Sequence, residues 1–174
     1  MVDTEFSDSY IETDAELEAL IGVDPRAAAV ALKALAAASQ CWYCQEATRR
    51  IDQLPLRGTK YDIDVVAGVP DQPRAFPRII DGTACDWNSS TSLAIVPSDV
   101  KRACVEEAIA LYSYHSSPSA GKRQELQAQG VTSYSIGKLS ETFGHASAGR
   151  AYGVQSPDAY RMLSKYIARS VPIR

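Results

Sequence analysis

The sequence predicts a mainly α protein: a helical bundle of four to five helices with one β-hairpin and extended terminal arms. Three observations point there. Apolar residues recur at three- and four-residue spacing over several stretches, which is the helical period. One short stretch, residues 131–143, alternates instead and is split by a Gly-Lys pair. Both ends are polar. The 174 residues, 45% apolar and 22% charged, suit one domain spanning residues 1–174. A chain of this length buries roughly two thirds of its unfolded surface, enough for a true core.

The elements follow in chain order. Residues 1–12 are acidic and read as an arm anchored by Phe6 and Tyr10. Thr13-Asp14-Ala15-Glu16 has capping-box spacing, so a helix is expected from Asp14 to near Gly22, burying Leu17, Leu20 and Ile21. Asp24-Pro25 signals the next start. From there to Pro55 no glycine or proline intervenes. Leu32, Leu35, Ser39 and Trp42 form one stripe, and Cys44, Ala47 or Thr48, Ile51 and Leu54 another. One long helix and two helices broken near Ser39-Gln40 both fit.

Residues 55–97 are dense in proline and glycine and read as a long ordered loop with a short strand or two. Tyr61, Val65, Val66, Phe76, Ile79, Ile80 and Trp87 make it too apolar for free disorder. Pro97-Ser98-Asp99 starts a helix to about Tyr114, with Val100, Cys104, Ala108 and Leu111 inward, widened by Ala103, Ile109 and Tyr112. Glu106 and Glu107 are expected to face out. Residues 116–129 are polar and read as a mobile loop. Val131–Ile136 and Leu139–Phe143 flank Gly137-Lys138 as a type II′ hairpin. Gly144–Gly153 is a loop, Ser156-Pro157-Asp158 caps a last helix over 156–169, and 170–174 is a tail.

Net charge is −3, which argues against coating nucleic acid by bulk electrostatics. Its distribution is uneven. Residues 1–25 hold eight acids and no base, whereas residues 161–174 hold four bases and no acid. Such ends either solvate the chain or meet head-to-tail in an assembly. No apolar run approaches the roughly 20 residues of a membrane span, and the acidic start lacks the pattern of a secretory signal, so synthesis in the cytoplasm is expected.

The chemistry-bearing residues are sparse. Cys41-Trp42-Tyr43-Cys44 is a CxxC, yet a zinc site asks for a second pair at short spacing, and Cys85, Cys104, His115 and His145 supply none. Both cysteines of the pair suit a helix face. His115 and His145 have no nucleophile at a defined spacing, and Asp62-Ile63-Asp64 lacks the glycine and acids of a calcium loop. No catalytic residue, cofactor or metal is assigned. Arg49, Arg50, Arg57, Arg74 and Arg78, with Lys60, Tyr61 and Phe76, could hold a single strand. Asp52, Asp62, Asp64 and Asp71 dilute that field, and contacts between subunits suit the same residues.

Six segments stand in a characteristic order. They are Glu46–Asp52, Arg57-Gly58, Gln72–Arg78, Val96–Ala103, Gly130–Leu139 and Ser156–Tyr160. In this order and spacing the chain resembles the small head-tail connector (adaptor, or head-completion) proteins of tailed bacteriophages. It departs from that pattern in the Ala-rich stretch Ala27–Ala38 and around Asp81–Trp87. The resemblance implies a virion structural protein, not an enzyme, that assembles in the host cytoplasm as a dodecameric ring under the portal. Such a ring joins the portal to a neck or tail-completion protein and passes double-stranded DNA without sequence preference. By analogy Tyr166, Arg169, Val171, Pro172, Ile173 and Arg174 are portal-contact candidates; the clustered Arg49, Arg50, Arg57, Arg74, Phe76 and Arg78 are, on their own pattern, candidates for contacts with subunits or nucleic acid. Proteins of this pattern also carry a DnaT-like single-stranded-DNA-binding label, which supplies the alternative function.

Overall fold

A computed structural model of the chain describes residues 6, 8–61, 74–91, 93–117, 133–136, 139–142 and 153–168. The protein is mainly α. Five helices stand among the described residues: α1 (Asp14–Ile21), α2 (Ala27–Lys33), α3 (Ala37–Asp52), α4 (Ser98–Ser116) and α5 (Pro157–Leu163). Helix α4 is the centre, packed on each of the other four. Val100, Ala103, Cys104, Ala108 and Leu111 are its fully buried stripe, the one its spacing predicts. Each large apolar side chain buried this way contributes about 1.5–3 kcal/mol. None of these helices is long and apolar enough to cross a membrane.

Helix α1 starts where the capping box places it. Thr13 Oγ1 accepts the Glu16 N–H at 3.1 Å, and the Glu16 carboxylate accepts the Glu12 N–H at 2.8 Å. The acidic segment before it is no free arm: Phe6, Ser9, Tyr10 and Ile11 are all buried. The Tyr10 N–H donates to Thr48 Oγ1 at 3.0 Å, tying the segment to α3.

Helices α2 and α3 are separate, and the break lies at Ala34–Ala36, earlier than Ser39-Gln40. No breaker residue marks it. Gln40 does the work, for its buried Nε2 donates to Lys33 O at 2.9 Å and satisfies a carbonyl that the end of α2 leaves open. The break resets the helical phase, so Ser39 and Trp42 are exposed instead of continuing the Leu32 stripe. The start of α2 also shifts. Asp24 accepts the Arg26 N–H at 2.9 Å and binds its guanidinium, and the helix begins only at Ala27.

Five short strands stand among the described residues of the long loop. β1 (Thr59–Lys60), β2 (Arg78–Ile80) and β3 (Thr83–Ala84) form an antiparallel sheet in that order, and β4 (Trp87–Asn88) pairs with β5 (Leu93–Ala94). Asp81 and Gly82, both at positive φ, make the two-residue turn between β2 and β3. Gly58 also has positive φ, and a Cβ there would lie 1.9 Å from Ile79 O, so only glycine fits against β2.

The expected hairpin is present as β6 (Ser133–Ile136) and β7 (Leu139–Thr142), paired from Ser133↔Thr142 to Ile136↔Leu139. Its turn residues lie outside the described residues, as do positions 118–129 of the expected loop 116–129 and 144–152 of the expected loop 144–153, while Ser116 closes α4. Helix α5 begins at Pro157 behind Ser156, as expected, but ends at Leu163 instead of Arg169. Beyond it the backbone pairs with the exit of α3. Ala168 N–H donates to Pro55 O, and Arg57 N–H to Tyr166 O, both at 2.7 Å. This brings Ile167 opposite Leu56.

Candidate functional site

The six contact candidates from the α3–β2 region do not share one face. Phe76 is 1% exposed and stands edge-on to Tyr10 and Tyr166, with ring centroids 5.9 and 5.1 Å away. Arg78 is 9% exposed, and its guanidinium gathers four backbone carbonyls: Gly58 at 2.6 Å, Arg57 at 2.7 Å, Ala75 at 3.2 Å and Leu56 at 3.4 Å. A buried cation has to be met by acceptors, and here the loop backbone supplies them. Both side chains are spent inside the fold.

Tyr10 links this loop to α3. Its hydroxyl donates to the Asp52 carboxylate in a short hydrogen bond and accepts the Phe76 N–H at 3.2 Å. Burial, reinforced by Asp52, pushes the Tyr10 hydroxyl far above its ordinary range, so it stays a donor. Burial also raises the Asp52 carboxyl, while the Tyr10 and Ala75 hydrogen bonds, Lys60 and Arg74 pull it down.

Glu107 overturns its expected outward position. It is 0% exposed. Its carboxylate accepts the Gln155 N–H at 2.9 Å and the Ser156 N–H at 2.8 Å, the two donors leading into α5. Ser156 Oγ in turn accepts the Ala159 N–H at 3.1 Å. Arg50 completes the cluster from α3, half-buried, with Nη1 3.7 Å from Glu107 and 3.0 Å from Gly153 O, and Nε 3.1 Å from Glu46. Burial raises the Glu107 carboxyl, the two N–H groups and Arg50 lower it, and Glu46 raises it again, for a net upward shift.

The remaining three arginines lie in two places, Arg49 and Arg57 exposed and Arg74 partly buried. Arg49 and Arg74 line a shallow groove with Asp8, Gln45, Thr48 and Asp52. Arg57 lines another with Ser164, Lys165, Ile167 and Ala168. Arg49 pairs with Glu46, and Arg57 with Asp81 at 3.2 Å. The charged ends also meet the bundle: Glu12 and Glu16 bind Lys101 of α4, and Lys165 binds Asp99. Of the portal-contact candidates, Tyr166 is buried on Phe76 with Lys165 Nζ 4.9 Å above its ring. Arg169, Val171, Pro172, Ile173 and Arg174 lie outside the described residues.

All four cysteines are free thiols. Burial raises Cys44 and Cys104, the latter to about 12, while Cys41 and Cys85 are half-buried. Among the described residues no three His, Cys, Asp or Glu side chains are grouped to hold a metal. Sequence reasoning missed an aromatic ledge where Trp42, 48% exposed, stands 5.5 Å from the His115 ring and 4.9 Å from Tyr43. His145 lies outside the described residues. Compared with models of known protein families, with curated proteins and with solved structures, the chain matches none.

Proposed function

We propose that this chain is a virion structural protein: a head-to-tail adaptor that forms a dodecameric ring under a phage portal and joins it to the neck or tail. The supporting observation is convergence. Several of the scattered segments that carry the resemblance meet in one packing centre. Asp52 closes the first and holds Tyr10; Arg57-Gly58 offers carbonyls to Arg78; Phe76 fills the space between Tyr10 and Tyr166. Two more open α4 and α5, which Glu107 joins. Segments that are weak singly thus form one tertiary unit, as the determinants of a shared fold would.

The alternative, a DnaT-like single-stranded-DNA-binding module, draws support from Arg49 and Arg74 in one groove. Asp8 and Asp52 in that groove, and Glu46 on Arg49, oppose phosphate there. The adaptor reading is therefore preferred. Electron microscopy of the chain mixed with the portal protein encoded near it tests both. A stoichiometric ring on the portal supports the adaptor, and deletion of 170–174 is expected to abolish docking with the fold intact. A bare portal together with single-strand binding in low salt would favour the alternative.

A further inference from the structure

A groove of about 460 Å³ lies where the approach to α4 passes the end of the acidic N-terminal segment. Pro77, Ala94, Ile95 and Val96 give it an apolar lining, and Ile95 is left 38% exposed. A side chain of that size in solvent forgoes the gain of burial. Glu12 and Asp86 also line the groove, and the cation between them in the described lining, Lys101, is shared with Glu16 at 2.7 Å. Ala94 belongs to β5, which among the described residues pairs with β4 alone. The groove therefore suits an extended segment carrying apolar side chains next to cations.

Residues 169–174 have that composition: Val171 and Ile173 alternate between Arg169 and Arg174, with no acid among them. The chain approaches them in strand pairing, with Ile167 opposite Leu56 and the Ala168 N–H on Pro55 O. Their direction excludes the groove of their own copy. Residues 55–61 run toward Pro77, whose carbonyl accepts the Tyr61 N–H at 3.0 Å. Tyr166–Ala168 pairs antiparallel to that segment and so heads away from Pro77. To double back, a six-residue tail would spend most of its roughly 20 Å reach retracing the strand.

We infer that this groove is a contact between copies of the chain: it receives residues 169–174 of a second copy, Val171 and Ile173 against Ile95, the arginines against Glu12 and Asp86. Burial of the apolar pair supplies affinity, and the opposite charges fix the direction of the tail. Groove and tail are different surfaces, so the contact is heterologous and repeats from copy to copy into a ring or a filament. So small a contact falls below the size of a stable interface, and the association is weak and concentration-dependent. The inference does not rest on the adaptor reading. On that reading a portal competes with the neighbour's groove for the same tail, and the test below uses the chain alone, so either can fail without the other.

Sedimentation velocity of the full chain tests it. The average mass is expected to climb from the 18.9 kDa of one copy toward multiples of it as concentration rises to about 1 mM. Ile95→Arg, which places like charge in the groove, and deletion of 169–174, which removes the tail, are each expected to hold the chain at one copy. Mixed in equal amounts, the two variants retain one intact groove and one intact tail between them. They are expected to form a one-to-one pair that grows no further, which a two-fold symmetric contact could not do. A natural chain that stays at one copy, association that survives either variant, or a mixture that stays apart overturns the inference. Should Ile95→Arg fail to fold, Glu12→Arg takes its place, since that side chain is 69% exposed and meets Lys101 only at 3.5 Å.

Discussion

Arg78 and Glu107 are two buried charges solved by the same means in opposite sense. Around Arg78 the loop turns its carbonyls inward; around Glu107 the approach to α5 turns its N–H groups inward. In both regions backbone that belongs to no long helix or strand is organised by one side chain. The regions differ in permanence. An arginine keeps its charge at every pH a protein survives, so its loop is braced once and for all. A glutamate can be protonated, so the charge that organises the α5 junction is the less permanent of the two. Irregular backbone can thus be held rigidly or conditionally, and the choice of charge decides which.

The comparison can be broken most forcefully at Arg78. Replacing it by Ala leaves up to four inward carbonyls without a donor and is expected to cost about 3 kcal/mol or more in urea denaturation. A cost below about 1 kcal/mol would mean that water braces the loop as well as the guanidinium does. Arg78→Lys is expected to recover little, since one ammonium cannot span the carbonyl fork.

Tyr10→Phe comes next, at about 2 kcal/mol, because it strips the Asp52 carboxylate and the buried Phe76 N–H of a partner at once. Thermal unfolding reads it, and an unchanged midpoint would remove Tyr10 as the link between loop and bundle. Ser156→Ala separates the hydroxyl cap from the carboxylate at the α5 start. About 1 kcal/mol is expected, with faster amide exchange at Ala159. Arg49→Ala sets the floor. Its pair with Glu46 is exposed, and a change within about 0.5 kcal/mol is expected.

The helices were legible where local rules act alone. Thr13 with Glu16 marks α1, the Val100–Leu111 spacing marks α4, and Ser156-Pro157 marks the start of α5. What the pattern hid was long-range. Periodicity assigns a charged residue such as Glu107 to solvent, and nothing near it in sequence announces the N–H groups of residues 155–156. The α2–α3 break depends on Gln40 reaching back to Lys33, and alanines on both sides look like one helix. Helix α5 ends early because Leu56, 111 residues upstream of Ile167, offers it a strand partner. At the candidate site, Phe76 was legible as a residue too apolar for a free loop. The inward turn of Arg78 was not, because an arginine between apolar residues reads as a surface charge.

The pairing of Tyr166–Ala168 with Pro55–Arg57 has a mechanical consequence. A load pulled through the chain beyond Ala168 enters the fold at the Ala168–Pro55 hydrogen bond, with the Arg57–Tyr166 bond behind it and the buried Ile167 beside both. Drawn along the strand axis the two bonds share the force in shear; drawn across it they open one after the other. Either way the force is delivered to the exit of α3, and hence toward the long α3–α4 pair, before it can pull on the short α5. The seven-residue helix nearest in sequence is thereby shielded, and the sixteen-residue helix nearest in space bears the strain.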